Sequence, residues 1–512
     1  MAKYKPWQVC CFILSCLIGA VALICLCIAS LVDRGCSSGS FRRAAVSADS
    51  QRCSEIGRNM LQQGGSAVDG AIAALLCTSV VNPQSMGIGG GSIFTIRDKT
   101  GKVKVYNFRE TVPQSFKPNL LKDCPTNFTF STGSQWIGVP GELLGYQVVH
   151  KLYGKLPWAK LFQPTIRLAR DGIPVPDYLE RVLNNKLVRG LVKKSSLCSL
   201  QVLCKKDKTV LSKGDILKFS KLAETMETIA EQGADAFYSG KIGQDLIQDI
   251  QAAGFSLTPN SVHGDQRIQM YHHYIEAVKF ANGQRRSITD PEFNNKKNAD
   301  HLIDPSFINR IRGMISSNRT HDNSYYNNMK PSSDHIGTTH VSVLDEDGLA
   351  VSATSTINQL FGGGVYSPRT GIILNNELSD FCGKADTVRA GEQPPSSMTP
   401  VILELGSGGI LIIGGSGGSL ITSAVALSII NHLWLGMSLE DAISACIVFV
   451  DSKNNVNFEP GFDKSVMNGL YGLGHKNGDW TFFVNVVNAV EKEKGCIVAV
   501  SDKRKMGNSA GY

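Results

Sequence analysis

The sequence predicts a mixed α/β protein that carries one membrane-spanning segment near its N-terminus. Apolar and polar residues alternate at 340–344 and 349–356, as they do in half-buried strands. Upstream, apolar residues recur with the helical period at 141–153, 158–170 and 220–232. The same period predicts further helices, at 54–63, 66–81, 242–253 and 271–282. With 512 residues, of which 42% are hydrophobic and 19% charged, the chain can bury a large core.

The N-terminal segment determines the expected topology. Residues 9–32 are almost wholly apolar and contain no charge, and the run is long enough to span a bilayer. Lys3 and Lys5 precede it, which favours a cytosolic N-terminus and an extracellular remainder. A cleaved signal peptide is the competing interpretation, but the run is long for one and no clear cleavage site follows it closely. We therefore expect a single-pass type II protein of the cell membrane, with a cytoplasmic tail at 1–8 and an anchor at 9–32.

Charge and surface motifs agree with an extracellular domain. The net charge of +8 is spread thinly, and the basic runs at 193–194 and 205–208 lack interleaved aromatic residues, so we do not expect nucleic-acid binding. Asn127 and Asn318 each begin an Asn-x-Thr triplet, the acceptor motif for N-glycosylation.

The nine cysteines that follow the anchor are expected in an oxidising compartment, where disulfides form. Their odd number leaves one without an intramolecular partner. Cys198 and Cys204 are one candidate pair, and Cys446, in an apolar helical pattern, is expected to be a buried free thiol. No CxxC is present, and His272 and His273 are the only adjacent histidines, so no metal site is expected.

A predicted hairpin around 338–356 carries the clearest chemistry. Gly337 precedes Thr338 at the start of the first strand, and Thr356 ends the second, so the two hydroxyls can meet across the pair. A Gly-Thr bond in such a place can cleave itself, because the hydroxyl can attack the preceding carbonyl and the resulting ester can be hydrolysed. The released Thr338 would carry nucleophile and base together, since an α-amino group titrates at about 7.7–8.0. The alternative is that the pair merely opens a strand.

A glycine-rich turn offers a different nucleophile. Ser416 lies within GGSGG, between a strand pattern at 410–413 and a helix pattern at 420–435, which is the context of a nucleophile elbow. Asp451 and His475 follow it in the order of an α/β-hydrolase triad. A serine hydrolase that uses Ser416 therefore stays open.

Three further stretches have plain structural interpretations. Arg109 follows a strand pattern, where an arginine usually faces solvent. The segment 371–376 is typical of a buried strand, and Glu377 and Asp380 after it could be an acid/base pair, metal ligands or solvated charges. The polar stretch 305–330 indicates a flexible approach to the Gly-Thr bond.

Taken together, the motifs resemble the γ-glutamyltransferase family, in that family's own order. They are NPQSMGIGGGSIFTI, NFRE, QWIGVPGELLGY, GTTHVSV, VSATSTIN, GIILNNELSDF, PPSSM, GGSGGS and SDKRKMGNSAGY. The resemblance covers about 44–512, and VYSPRTGIILNNEL and LFQPTI are most similar to its leukotriene C4 hydrolase branch. The chain departs from the family at 262–263, where several dozen residues of the family's large subunit are missing.

The resemblance implies an αββα sandwich of the N-terminal-nucleophile hydrolase type, with a large subunit at 33–337 and a small catalytic subunit at 338–512. It implies cleavage of the γ-glutamyl bond of glutathione, glutathione conjugates or leukotriene C4, the last giving leukotriene D4. Water, an amino acid or a dipeptide would accept the γ-glutamyl group, and no cofactor or metal ion is expected. A third possibility is a shortened, unprocessed and inactive membrane protein of the same family.

The resemblance also assigns tasks to particular residues. The cleavage site would be the Gly337–Thr338 bond. The implied catalytic residues are Thr338, Thr356 and the oxyanion-hole residues Gly417 and Gly418. The implied ligands of the substrate are Arg109, Ser396 and Ser397 for its α-carboxylate, and Asn358, Glu377 and Asp380 for its α-ammonium. A disulfide between Cys53 and Cys77 is implied as well.

Overall fold

Two stacked β-sheets form the centre of the protein in a computed structural model. The strands in chain order are Ala45–Ser47 (β1), Gly91–Arg97 (β2), Val103–Phe108 (β3), Ile173–Pro174 (β4), Ile216–Leu217 (β5), Thr339–Leu344 (β6), Ala350–Thr356 (β7), Val401–Glu404 (β8), Ile410–Ser416 (β9), Val448–Val450 (β10), Val456–Phe458 (β11), Val486–Glu493 (β12), Cys496–Ser501 (β13) and Ala510–Gly511 (β14). The larger sheet has the order β14-β1-β6-β7-β2-β3 and the smaller β13-β12-β9-β8, with antiparallel pairing throughout both.

Helices cover the outer faces of both sheets. They are Gln51–Gln62 (α1), Ala67–Val81 (α2), Glu142–Tyr153 (α3), Trp158–Asp171 (α4), Asp177–Asn184 (α5), Lys186–Lys194 (α6), Ser196–Ser199 (α7), Ser220–Gln232 (α8), Asp235–Tyr238 (α9), Arg267–Gln284 (α10), Pro305–Met314 (α11), Ile421–Ile429 (α12), Leu439–Ser444 (α13) and Lys464–Gly472 (α14). α2 packs on β6 and β7 of the larger sheet, and α12 packs on β9 and β12 of the smaller. The layers are therefore αββα, the sandwich that the resemblance implied.

The structure describes residues 36, 39–114, 116, 119–124, 131–238, 242, 267–293, 299–328, 336–383, 385–479 and 486–512. The predicted anchor at 9–32, the acceptor Asn127, the junction at 262–263 and all but the first residue of the predicted helix 242–253 lie outside these residues. Within the described ranges, no helix combines the length and the apolar character needed to cross a bilayer.

Local signals account for the elements that hold the site. The predicted capping box opens α2, because Ser66 Oγ accepts the Asp69 N–H and Asp69 accepts the Ser66 N–H. The predicted hairpin is β6 and β7, closed by a turn in which Gly348 has a φ of 84°. His340 on β6 packs against Gly414 of the facing sheet, where a Cβ would lie 2.3 Å from the imidazole. The two sheets approach closely here because position 414 has no side chain.

Two expectations about the backbone were wrong, and a third was right only in part. The stretch 305–330 begins with α11, which Asp304 caps by accepting the Ser306 N–H, and Pro305 opens its first turn. Residues 371–376 are buried but make only isolated bridges, at Ile373 and Leu374. Their backbone groups instead bond to neighbouring loops, such as the Leu374 N–H to Val365 O. The helix predicted at 420–435 is present but not α throughout: it is α over Ile421–Ile429 and then becomes a π-helix, Ile430–Trp434.

Four disulfides link the described residues. Cys53 pairs with Cys77 and Cys198 with Cys204, the two pairings that were anticipated. Two unforeseen bridges join Cys36 to Cys496 and Cys124 to Cys382. Cys446 belongs to none of the four, but it is half-buried and follows the end of α13, so its expected place inside a helix was wrong.

Candidate active site

Thr338 directly precedes β6 and is 3% exposed. Its φ is 85°, a left-handed conformation that is rare for a β-branched residue. Hydrogen bonds fix both of its backbone polar groups, because its N–H donates to Ser85 O at 2.9 Å and Lys505 Nζ donates to its carbonyl at 2.7 Å. Thr338 is therefore held in a strained backbone conformation, which is a common property of functional sites.

The Thr338 hydroxyl is oriented by the partner strand. Thr338 Oγ1 donates to Thr356 Oγ1 at 2.9 Å, which is the contact across the hairpin that the sequence predicted. Thr356 Oγ1 also accepts the Asn358 N–H at 2.8 Å. Since the Thr338 proton points at Thr356, the lone pairs of Thr338 Oγ1 are free to face a carbonyl carbon.

A backbone donor faces the carbonyl that precedes Thr338. The chain leaves β9 through Gly417 and Gly418, whose φ values of 118° and 61° favour glycine. The Gly417 N–H donates to Gly337 O at 2.8 Å. Gly418 begins a 3-10 helix, Gly418–Leu420, which leads into α12. The Gly417 N–H thus lies where negative charge would develop if Thr338 attacked this carbonyl.

One arginine and three carboxylates form a buried cluster beside the hairpin. Arg109 donates through Nη1 to Glu377 and through Nη2 to Asp380 Oδ2 at 3.1 Å, and Glu110 Oε2 lies 3.7 Å from Nη1. Burial raises the pKa of Glu110 and of Glu377 above that of an ordinary carboxyl. Because three carboxyl groups surround one guanidinium, the cluster has more acidic groups than cations, which suits a ligand that brings a positive charge.

Asn358 connects this cluster to the Thr338 hydroxyl. Its Nδ2 donates to Asp380 Oδ1 at 3.3 Å, while its backbone N–H donates to Thr356. Hydrogen bonds therefore run from Thr338 through Thr356 and Asn358 to Asp380, and from there to Arg109. Glu377 and Asp380 share one 3-10 helix, Glu377–Phe381. The sequence predictions placed these residues in one site, and the fold brings them together.

Ser396 and Ser397 lie on the other side of Arg109, whose Nη2 donates to Pro395 O at 3.1 Å. Both serines are half-buried and line a cavity of about 390 Å³ that Ser419 also borders. Most of the cavity wall is apolar and comes from α10, α12 and the first residue of the π-helix that follows α12, with Tyr274, Val278, Ala281, Ala426 and Ile430 as members. An apolar cavity therefore opens next to residues predicted to bind substrate.

The structure contradicts the predicted serine triad. Ser416 is buried within β9, and its Oγ accepts from Lys505 Nζ at 2.7 Å. His475 lies elsewhere, with its Nε2 2.7 Å from His272 Nδ1. Asp451 accepts backbone N–H groups of its own turn. The three residues do not meet. The Gly/Ser turn does not form a nucleophile elbow, and instead its Gly417 N–H donates to Gly337 O, next to the larger sheet.

His272, Glu276 and His475 form a buried group of metal-type ligands that the sequence did not suggest. Their atoms already bond to one another and to neighbours. Lys279 Nζ lies 2.9 Å from His475 Nδ1, His475 Nε2 faces His272 Nδ1, and His272 Nε2 faces Ser316 O at 2.6 Å. Burial lowers the pKa of both histidines, which keeps them neutral. The histidines therefore belong to a chain of hydrogen bonds that joins α10 to the loop after α14.

Lys505 and Asp49 are site residues that sequence reasoning missed. Lys505 Nζ donates to Asp49 Oδ2 at 2.6 Å as well as to Thr338 O and Ser416 Oγ, and both residues of the ion pair are buried. Asp49 also accepts from Thr339 Oγ1 at 2.6 Å. The one available signal was that Lys505 belongs to the terminal SDKRKMGNSAGY motif, to which no role had been given.

The same architecture is found in a solved structure. A crystal structure of cephalosporin acylase from Bacillus halodurans matches 92% of this chain and 96% of its own, with a TM-score of 0.75 and 19% sequence identity. The likeness shows a shared mixed α/β fold.

Sequence comparison identifies the family. The gamma-glutamyltranspeptidase family model matches residues 53–263 and 256–512. Glutathione hydrolase 5 proenzyme from Rattus norvegicus is 42% identical, with 100% of both chains covered. The Homo sapiens protein of that name is 43% identical over 93% of this chain and 94% of its own. The chain belongs to the gamma-glutamyltranspeptidase family, which confirms the resemblance.

Proposed function

We propose that the chain is a self-processing γ-glutamyl hydrolase and transferase whose nucleophile is Thr338. One observation carries the proposal: the Thr338 hydroxyl is oriented by Thr356 while the carbonyl before it accepts the Gly417 N–H. Family membership supports the same activity, since the similar proteins from rat and human are named glutathione hydrolase proenzymes.

In the proposed self-cleavage, Thr338 Oγ1 attacks the Gly337 carbonyl carbon. The C=O electrons move onto oxygen, where the Gly417 N–H stabilises them. The hydroxyl proton passes to the amide nitrogen as the C–N bond breaks, which leaves an ester between Gly337 and Thr338 Oγ1. One water then hydrolyses the ester, giving a Gly337 carboxylate and a free Thr338 amino group.

In the proposed turnover, the Thr338 amino group takes the hydroxyl proton and Oγ1 attacks the γ-amide carbonyl of the substrate. The Gly417 N–H stabilises the second oxyanion as it did the first. Arg109 binds the α-carboxylate, and Glu377 and Asp380 bind the α-ammonium. The C–N bond of the γ-amide then breaks, and the amine leaves with the proton that the Thr338 amino group had taken, so that a γ-glutamyl ester remains on Thr338 Oγ1. Water, an amino acid or a dipeptide then attacks this ester, and a proton returns to Thr338 Oγ1 as the γ-glutamyl group is released.

The proposed substrates are glutathione, its S-conjugates and leukotriene C4, a conjugate with a long aliphatic chain. The apolar cavity beside Ser396 and Ser397 supports the conjugates, because it could receive an apolar S-substituent. S-Hexylglutathione should be cleaved at least as well as glutathione. Ala426→Phe, which fills the cavity, should lower kcat/KM for the hexyl conjugate while sparing glutathione, and equal losses on both would contradict this assignment.

We also propose the type II membrane topology, with the catalytic part outside the cell. Its support is the apolar run at 9–32, the four disulfides and the exposed acceptor Asn318. In intact cells, an antibody to a C-terminal tag should label the surface, and glycosidase treatment should shift the band of the parent chain more than that of Asn318→Gln. Absence of surface labelling in cells that express the chain would contradict the topology.

Expression of residues 33–512 tests the proposed activity directly. A reducing gel should show two fragments, the smaller beginning at Thr338, and the protein should release γ-glutamate from glutathione. Thr338→Ala should stay uncut and inactive, whereas Ser416→Ala should retain turnover. A parent chain that stays whole and inactive would instead support the shortened, unprocessed member of the family.

A further inference from the structure

From the cysteine pairing, we infer that two disulfides join the parts of the chain on either side of the Gly337–Thr338 bond. The processed protein is therefore a covalent dimer rather than two subunits held by contacts alone. Hydrolysis of the bond rests on the proposed function, but the two bridges do not depend on it. The large part is residues up to 337, and the small part is residues 338–512.

The pairing divides the four disulfides into two kinds. Cys36–Cys496 and Cys124–Cys382 span 460 and 258 residues of sequence, and each has one member in the large part and one in the small part. Cys53–Cys77 and Cys198–Cys204 span 24 and 6 residues and lie wholly within the large part. Hydrolysis after Gly337 would leave the first two bridges connecting separate chains.

The sheet keeps the bridged cysteines together after such a cut. β1 of the large part lies between β14 and β6 of the small part, and β2 of the large part pairs with β7. Cutting the bond before β6 removes none of these pairings. The bridges therefore stay in place, and association becomes independent of protein concentration because it is intramolecular.

One bridge lies close to the predicted anchor, and the other lies next to predicted substrate ligands. Cys36 follows closely after the predicted anchor at 9–32, while Cys496 opens β13. This bridge would tie the catalytic small part to the membrane segment. Cys382 ends the 3-10 helix Glu377–Phe381, which carries two of the predicted substrate ligands, and its partner Cys124 ends a 3-10 helix of the large part. This second bridge fixes the ligand-bearing helix to the large part.

Denaturing gels of the full-length protein, alkylated to block thiol exchange, test the inference. Without reductant the processed protein should run as one species of about the precursor's mass. With dithiothreitol, which reduces each disulfide to two thiols, it should separate into two fragments. Cys36→Ser combined with Cys124→Ser should separate without reductant, whereas the matched control, Cys198→Ser combined with Cys204→Ser, should not.

Peptide mapping of the non-reduced protein keeps this test separate from the proposed self-cleavage. The digest should contain the linked peptides Cys36–Cys496 and Cys124–Cys382 whether or not the chain is cut, and it needs no variant to fold. An uncut chain with both linked peptides would refute the self-processing but uphold the bridges. Fragments that separate without reductant, or a map in which these four cysteines are paired otherwise, would overturn the inference.

Discussion

Gly337 is a position where the structure leaves almost no room for a side chain. A methyl group added at Gly337 would lie 1.8 Å from Asn358 O, and this obstacle is backbone rather than a mobile side chain. Gly337→Ala must therefore displace its own peptide group. The displacement moves the carbonyl of residue 337 away from the Gly417 N–H, which donates to it at 2.8 Å.

The size of the effect follows from the loss of that one donor. Removing an oxyanion-hole hydrogen bond costs roughly 10²–10³ in rate, or about 2.7–4 kcal/mol of transition-state stabilisation. We therefore expect Gly337→Ala to slow self-cleavage by at least about 100-fold. The fold should survive, because the clash involves only two residues outside the strands, Gly337 before β6 and Asn358 after β7.

A pulse-chase of the precursor in cell-free translation, analysed on reducing gels, measures this rate. Gly190→Ala in α6 is the matched control, since its added methyl would have no atom within 4 Å, and it should be processed like the parent. Comparable thermal unfolding of both variants would show that the fold is intact. Processing of Gly337→Ala within tenfold of the parent would refute the reasoning.

Three further predictions concern the surroundings of the nucleophile. Thr356→Val should lower the rate of turnover by about 100-fold with a smaller effect on KM, because Thr338 loses its orienting acceptor. Lys505→Met should lower the free energy of unfolding by about 3–5 kcal/mol, because it leaves the buried Asp49 carboxylate without its cation. Glu142→Gln should flatten the pH dependence of stability, because burial raises the pKa of Glu142 from 4.5 to about 7.

The sign of the Glu142 effect is fixed by linkage. The folded state holds this proton more tightly than the unfolded state, so stability contributed by Glu142 falls as pH rises from about 4.5 to about 7. At about 1.36 kcal/mol per pKa unit, the parent loses on the order of 3 kcal/mol over this window relative to Glu142→Gln. Urea unfolding at pH 5 and pH 8, in a Thr338→Ala background that stays one chain, measures it. Parallel losses in both proteins would contradict the assignment to Glu142.

Thr356→Val and Lys505→Met each have a matched control. Thr356→Ser keeps a hydroxyl and should restore most of the turnover, and equal defects in the Val and Ser variants would point to a packing role instead. Pairing Lys505→Met with Asp49→Asn removes both charges and should recover part of the lost stability in a double-mutant cycle. Strictly additive losses would mean that the two buried charges do not stabilise each other.

Local patterns predicted the parts of the structure that depend on near neighbours. The helix expected at 220–232 has those bounds in the structure. The capping box of α2 and the β6–β7 hairpin are likewise as expected, because their contacts join residues three apart or facing each other across one pair of strands. The Thr338–Thr356 contact could be predicted for the same reason, since a hairpin register brings the two hydroxyls together.

Features set by distant partners could not be predicted in this way. Lys505 lies 167 residues from Thr338 in sequence, and Cys36 lies 460 from Cys496, separations that no periodicity encodes. α11 was missed because its apolar stripe, Phe307, Ile311 and Met314, is short and only half-buried, and it lies in a mostly polar stretch. Its cap was visible nonetheless, as an Asp followed by Pro305 at the first helical position.

The strained conformation of Thr338 suggests what Lys505 contributes to the proposed self-cleavage. A left-handed φ in a β-branched residue costs on the order of 1–3 kcal/mol, and it persists only where the surroundings enforce it. Here Ser85 and Lys505 hold the residue from its two sides, and Asp49 holds Lys505 in turn. Once Gly337 has left, no carbonyl precedes Thr338 and the φ restriction disappears. The strain thus favours the ester over the peptide, and the buried ion pair stabilises the fold against the strain until the bond is cut.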